Sequence, residues 1–118
     1  MPAITVHKEL GPGLLEAVYE KALLMELTSR GINARNQVAV DLYYKGTPLD
    51  KTYIIDLLVE KEIIVEIKAV DTLLPVHKAQ LITHLRLSDL RLGYLINFNV
   101  PLLKDGFKRV VNKLSEPG

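Results

Sequence analysis

Asp56, Glu66 and Lys68 are the residues of this chain whose types and spacing could do chemistry together. Asp56 interrupts the apolar run 54–59, and the other two interrupt the apolar run that begins at Ile63. Charged side chains within such apolar strands are expected to be partly buried, and a buried charge needs a partner. We therefore predict that these three side chains lie close together.

The runs 52–59 and 63–68 are predicted to be neighbouring strands of a β-hairpin, because both are apolar and a short charged turn joins them. Facing residues of an antiparallel pair have a constant index sum, and a turn centred between the two runs places Asp56 opposite Glu66. Side chains that face each other in this way lie on one face of the hairpin, about 5 Å apart. Lys68 lies two residues beyond Glu66 and therefore shares that face.

Two carboxylates that face each other repel, so we expect either a cation between them or a proton on one of them. Oxygen ligands of this kind suit Mg²⁺ or Mn²⁺. Such an ion lowers the pKa of a bound water and offsets negative charge during phosphodiester hydrolysis, and a neighbouring lysine could stabilise that charge as well. The alternative is an exposed hairpin face, on which Glu66 and Lys68 form a surface ion pair worth ~0–1 kcal/mol.

Length and composition are those of one globular domain spanning residues 1–118, with 48% hydrophobic and 25% charged residues. The absence of cysteine excludes disulfides, thiolate nucleophiles and cysteine metal sites, and it is compatible with a reducing, cytoplasmic location. No apolar run approaches the ~20 residues that span a bilayer, so no membrane partner is expected. The net charge of +1 is low for a strong non-specific nucleic-acid binder, although it leaves room for a local basic patch.

Apolar periodicity and turn residues predict the order of the secondary-structure elements. The predicted elements are the end of a helix at 4–10, helices at 14–30 and 76–88, strands at 37–44, 52–59, 63–68 and 92–98, a turn at 45–48, and a short edge strand at 107–111 followed by a frayed tail. Pro75 is expected to open the helix at 76–88. The order αβββαβ, with this extra strand, predicts a mixed sheet with helices on its faces.

Two motifs in this framework resemble those of a known protein family. Asp56 followed by Glu66-Ile67-Lys68 resembles the PD-(D/E)xK nuclease signature. The segment Gly13-Leu-Leu-Glu16-Ala-Val-Tyr19 is similar to the motif that names the GxxExxY proteins, a bacterial and archaeal branch of that superfamily. The likeness begins at His7 and continues through Gln80 and the segment 93–98, so it covers nearly the whole chain.

The resemblance implies a restriction-endonuclease-like α/β fold with an αβββαβ core. It also implies hydrolysis of a phosphodiester bond in nucleic acid, with DNA as the favoured substrate, assisted by Mg²⁺ or Mn²⁺. By the same likeness, Asp56 and Glu66 bind the metal together with the backbone carbonyl of Ile67. The other catalytic residues that it implies are Lys68 as the catalytic lysine, Glu16 as an acid on a helix near the metal, and Gln80 as an active-site glutamine.

Several interpretations stay open at this point. Tyr19 is expected in the core, with a hydrogen bond to Glu16 as the alternative. His84 stands where this branch often carries tyrosine, and we expect it on a solvated helix face rather than in a substrate cleft. The chain could also be a catalytically silent module for binding or assembly. A homodimer is a further arrangement, since nucleases of this size and fold often act as symmetric pairs.

Overall fold

The computed structural model describes residues 1–113 and shows a mixed sheet flanked by helices. The helices are α1 (Pro2–Leu10), α2 (Glu16–Ser29) and α3 (Pro75–Ser88), with a 3₁₀ turn at Leu103–Asp105. The strands are β1 (Ala34–Tyr44), β2 (Thr47–Val59), β3 (Ile63–Lys68), β4 (Leu92–Asn97) and β5 (Phe107–Val111). They lie in the order β1-β2-β3-β4-β5, with β3 and β4 parallel and the other neighbours antiparallel. This architecture confirms the predicted α/β class and is consistent with a restriction-endonuclease-like fold.

Apolar side chains on both faces of the sheet explain why helices cover it on both sides. The interior residues of β3 are all buried, and alternate ones lie on opposite faces. The core between the sheet and α1 and α2 includes Val6, Leu23, Leu27, Leu57, Val65 and Ile67. The core under α3 includes Ile55, Ile64, Leu81, Leu85 and Leu95. None of the helices within residues 1–113 is long and apolar enough to cross a membrane.

The first two strands are longer than the sequence predicted. β1 begins at Ala34, and β2 begins at Thr47, so the predicted turn at 45–48 shortens to Lys45-Gly46. The outer part of β2 is exposed and pairs with β1 alone. A two-stranded ribbon of this kind buries little on either face. It therefore shows no apolar alternation from which its length could be predicted.

The remaining boundaries differ from the prediction by small amounts. α1 begins at Pro2 and α2 begins at Glu16, whereas β3 and β5 have the predicted bounds. Differences of one or two residues are usual at helix ends, where capping and fraying decide the last turn. The frayed tail predicted after β5 falls largely on 114–118, which lie outside the described residues.

The tyrosine of the Gly13–Tyr19 motif anchors the loop that precedes α2. Its hydroxyl donates to the Gly11 carbonyl at 2.6 Å and accepts from the Leu14 N–H at 3.1 Å. The buried ring stacks on Phe98, with centroids 4.5 Å apart. The prediction that Tyr19 belongs to the core is confirmed, and its hydroxyl bonds the loop rather than Glu16. This contact fixes where α2 begins.

Tyr19→Phe is expected to lower the free energy of unfolding by about 1–3 kcal/mol, because the variant leaves loop groups without their hydrogen-bond partner. Urea unfolding followed by circular dichroism measures the change. Tyr44→Phe is the matched control, since Tyr44 is 62% exposed in the ribbon and its stability should change little. Equal effects of the two substitutions would contradict an anchoring role for the Tyr19 hydroxyl.

Candidate active site

The predicted hairpin register is confirmed for the three pairs nearest the turn, and the pairing of the two strands ends just before Asp56 and Glu66. β2 and β3 pair with the constant index sum expected, at Val59–Ile63, Leu58–Ile64 and Leu57–Val65. Asp56 and Glu66 would be the next pair, but they are not part of the ladder. The Asp56 Oδ2 atom instead accepts the backbone N–H of Ile67 at 2.8 Å. A side-chain carboxylate thus takes the hydrogen bond that the backbone of β2 would otherwise accept.

A local distortion of the ribbon directs Asp56 toward β3. Ile55 packs in the core under α3 whereas Leu57 packs in the core under α1 and α2, although residues two apart in a regular strand share a face. Gln37, which would face Asp56 on β1, has φ 51° and is absent from the pairing. Irregularities of this kind bend a strand and redirect a side chain. The strand therefore turns over at Asp56, which opens the gap between β2 and β3.

Glu66 is buried on β3 and bonds a histidine from α3. The His84 Nδ1 atom lies 2.7 Å from the Glu66 Oε1 atom. The His84 ring stacks on Tyr53, with centroids 4.4 Å apart and planes 12° apart. The expectation of a solvated helix face for His84 is wrong, because α3 presents this side chain to the sheet. Among the described residues, Glu66 pairs with His84 and not with Lys68.

A signal for His84 was present in the sequence. A glutamate within the apolar run of β3 needs a donor when it is buried. His84 directly precedes Leu85 and follows Leu81 by three residues, and both leucines are fully buried under the sheet. Side chains three or four positions apart share a helix face, so the periodicity that predicted buried leucines also indicated an inward histidine.

The other predicted residues lie around the end of β3. Lys68 is half-buried at the last position of that strand. Glu16 is the first residue of α2 and is exposed. Its Oε2 atom accepts the N–H of Ala69, the residue that follows Lys68, at 3.2 Å. Gln80 is exposed on α3, one turn before His84, and forms no hydrogen bond within residues 1–113. The structure therefore brings Glu16 to the end of β3 but leaves Gln80 without a described contact.

Glu20 is a further acid near the site that the sequence reasoning missed. Its carboxylate accepts from the side chains of Asn36 at 3.3 Å and Gln37 at 2.7 Å, at the distorted part of β1. Its negative charge raises the pKa of Asp56. The spacing of four residues from Glu16 indicated a shared helix face and could have identified it.

The electrostatic environment of Asp56 is unusual for a carboxylate. The pKa of Asp56 is raised from 3.8 to about 6, mainly by burial and in smaller part by the negative charges of Glu66 and Glu20. The hydrogen bond from the Ile67 N–H and the positive charge of Lys68 oppose that rise in pKa. A partly buried carboxylate beside other acids is expected where a proton or a cation completes a site.

The donor atoms around Asp56 fit a hard divalent cation. Asp56, Glu66 and Glu16 each accept a described hydrogen bond through one oxygen only. The Ile67 carbonyl faces the same strand edge as its N–H, which is the edge toward Asp56. Within residues 1–113, no three His, Cys, Asp or Glu side chains converge to hold a metal by themselves. A backbone carbonyl and water would complete the coordination, as is usual for Mg²⁺.

Comparison with known families identifies the class of protein that this fold and site define. The sequence model of the PD-(D/E)XK nuclease superfamily matches residues 2–110. The chain therefore belongs to the PD-(D/E)XK nuclease superfamily. Nucleases of this superfamily generally use divalent metals, in agreement with the oxygen donors at the site. A search of curated proteins finds no significant match to the chain.

Asp56→Asn is expected to stabilise the metal-free protein near neutral pH, with little effect below about pH 4. The folded-state pKa of Asp56 is about 6 and the ordinary value is 3.8, so between them the folded protein binds more protons than the unfolded chain. Wild-type stability therefore falls as pH rises through this window, and the loss persists above it. Asparagine cannot ionise, yet it can still accept the Ile67 N–H.

Urea unfolding across the acidic-to-neutral range, with a chelator present, measures this difference in stability. The control is Asp41→Asn, because Asp41 is an exposed aspartate of the same ribbon. A difference between Asp56→Asn and the wild type that does not vary with pH would contradict the raised pKa.

Proposed function

We propose that this protein is a metal-dependent nuclease that hydrolyses phosphodiester bonds of nucleic acid, with DNA as the favoured substrate. The observation that carries the proposal is the placement of Asp56 where the β2–β3 ladder ends, with its carboxylate bonded to the Ile67 N–H beside the buried Glu66. Lys68 lies two residues after Glu66 at the end of the same strand, which is the (D/E)XK spacing that the name of the superfamily gives. Acids and a lysine placed in this way suit phosphoryl transfer to water.

Asp56, Glu66 and the Ile67 carbonyl are the groups that would hold Mg²⁺ or Mn²⁺. The bound ion would lower the pKa of a water and offset the charge that develops on the phosphate. The Ile67 N–H holds Asp56 Oδ2, and His84 holds Glu66 Oε1, so the second oxygen of each carboxylate remains for a ligand. The protein thus orients both carboxylates before any ligand binds.

Lys68, Glu16 and Gln80 supply the remaining chemistry in this proposal. The Lys68 ammonium orients the attacking water or stabilises negative charge on the phosphate. Glu16 accepts the Ala69 N–H and so ties α2 to the residue that follows Lys68. Gln80 is exposed on α3 and is assigned to contact with the substrate, since it has no described partner within the protein.

The proposal also covers the family branch, the cellular location and the oligomeric state of the protein. The spacing Gly13, Glu16 and Tyr19 supports the GxxExxY branch, and the Tyr19 contacts give this spacing a structural reason. We place the chain in the cytoplasm as one nuclease domain, on the basis of its length and its lack of cysteine. A homodimer stays a proposal that sedimentation would test.

Lys68→Ala is expected to reduce cleavage by at least ~100-fold, as does loss of other groups that stabilise transition-state charge. Single-stranded, duplex and branched DNA are incubated with Mg²⁺ or Mn²⁺ and the products are separated by electrophoresis. Asp56→Ala should lose cleavage as well. Lys61→Ala is the control, because Lys61 is exposed in the hairpin turn. Cleavage that survives both the Lys68 and the Asp56 substitution would contradict the assignment of a nuclease site to these residues.

Mn²⁺ is expected to raise the melting temperature of the wild type, and Glu66→Gln should abolish that rise because it removes a ligand charge. Saturation at ~100 times the dissociation constant corresponds to ~2.7 kcal/mol of stabilisation. Differential scanning calorimetry with and without the metal measures it.

The competing function is a silent module for binding or assembly. The net charge of +1, and the lack of three converging acid, histidine or cysteine side chains in the described chain, favour this alternative. It would be supported by the absence of any metal response together with no retention of DNA at low salt.

A further inference from the structure

Glu66 is 8% exposed, and its position depends on one contact from a different layer of the fold. A buried carboxylate requires a donor, and charge-assisted hydrogen bonds are the strongest that it can accept. Within residues 1–113, the His84 ring supplies the one hydrogen bond that the Glu66 side chain accepts, at 2.7 Å. The direction of this carboxylate therefore depends on where the imidazole is held.

The His84 imidazole is itself held by β2. Its ring stacks on Tyr53, with centroids 4.4 Å apart and planes 12° apart. The Tyr53 hydroxyl donates to the His84 carbonyl at 2.9 Å and shares a hydrogen bond with the hydroxyl of Ser88. Tyr53 thus fixes both the ring and the backbone of His84. Tyr53 and Asp56 lie on the same strand, three residues apart. The strand that carries the Asp56 carboxylate therefore also positions the His84 imidazole, which holds the Glu66 carboxylate.

We propose that His84 is a positioning residue that holds Glu66 Oε1 and so presents Oε2 to the divalent cation. The proposal rests on the metal-dependent function proposed above and adds a residue to it. Outer partners of metal-ligating carboxylates typically change metal affinity 10–100-fold when they are removed. His84 touches neither the metal nor the substrate in this scheme, and acts through Glu66 alone.

The geometry assigns a definite position to one hydrogen atom. A carboxylate oxygen only accepts, so the His84 Nδ1 atom must carry a hydrogen, whether the ring is neutral or protonated. An NMR spectrum of the imidazole nitrogens tests this expected position of the hydrogen.

The first experiment needs no metal. Long-range ¹H–¹⁵N spectra of the ¹⁵N-labelled, metal-free protein distinguish a nitrogen that bears hydrogen from one that does not, and the His84→Asn spectrum assigns the His84 signals. A hydrogen on Nδ1 supports the contact. A neutral ring with hydrogen on Nε2 alone overturns it, because that tautomer has no hydrogen to donate to Glu66.

The second experiment compares two variants that separate the hydrogen bond from the packing. His84→Phe keeps a ring to stack on Tyr53 but has no donor. His84→Asn lacks the ring, yet its amide can donate from a place similar to that of Nδ1. The dissociation constant for Mn²⁺, measured from the free-ion EPR signal without substrate, should rise 10–100-fold in His84→Phe. It should stay close to the wild-type value in His84→Asn.

Kinetics provide a third test, because a positioning role should change the Mg²⁺ requirement of cleavage but not kcat at saturating Mg²⁺. In His84→Phe, the Mg²⁺ concentration for half-maximal cleavage should rise by the same factor as the Mn²⁺ dissociation constant. The kcat at saturating Mg²⁺ should recover toward the wild type. Arg86→Ala, at an exposed position of the same helix, is the control and should change neither quantity. Melting temperatures of all variants show whether they are folded.

The outcomes separate this inference from the proposed function. Unchanged Mn²⁺ binding in folded His84→Phe overturns the positioning role alone, provided that Glu66→Gln still abolishes binding. Equal losses in folded His84→Phe and His84→Asn also overturn it, because ring packing would then be what matters. A wild type that neither binds Mn²⁺ nor cleaves nucleic acid overturns the proposed function, and the metal-related role of His84 with it.

Discussion

The hydrogen bond from the Ile67 N–H to the Asp56 carboxylate is the interaction on which the rest of the site depends. It ends the β2–β3 ladder after the Leu57–Val65 pair, because a side chain takes the place of a backbone acceptor. The strands can then separate without leaving the Ile67 N–H unpaired, which would be costly in this buried region. The gap is where the Asp56 carboxylate lies, and burial there raises its pKa to about 6.

Each of the other acids at the site is held by a different layer of the fold. Glu66 bonds His84 from α3, and Glu16 on α2 bonds the backbone at Ala69. Of the two carboxylates of the hairpin, Asp56 is therefore directed by a backbone amide of β3, and Glu66 by a stacked imidazole from α3. The raised pKa of Asp56 reflects first its burial and then the neighbouring charges of Glu66 and Glu20, which a bound cation would offset. The buried carboxylates lower the stability of the folded protein, but they are already oriented for a ligand.

Much of the fold could be predicted, because its signals are local. Apolar runs and turn residues identify β3 and β5 with the observed bounds, and the index sum gives the right register at Leu57–Val65. The ribbon of β1 and β2 was predicted too short, since exposed strands lack apolar alternation. The pairing of Asp56 with Glu66 assumes a regular ladder, but the hydrogen bond from Ile67 to the Asp56 side chain, beside the distortion at Gln37, ends that ladder one pair earlier. A positive φ at a glutamine has no clear sequence signal.

The sequence by itself determined which residues could form the site. Alternation along β3 places Glu66 and Lys68 on one face, and their charges within an apolar run mark them as residues that need partners. Only the tertiary structure decided which partners they have. Whether His84 meets Glu66 depends on how α3 crosses the sheet and on the stack with Tyr53, contacts that join residues far apart in the chain. Periodicity reports the face on which a residue lies, whereas the packing of one element on another determines what that face touches.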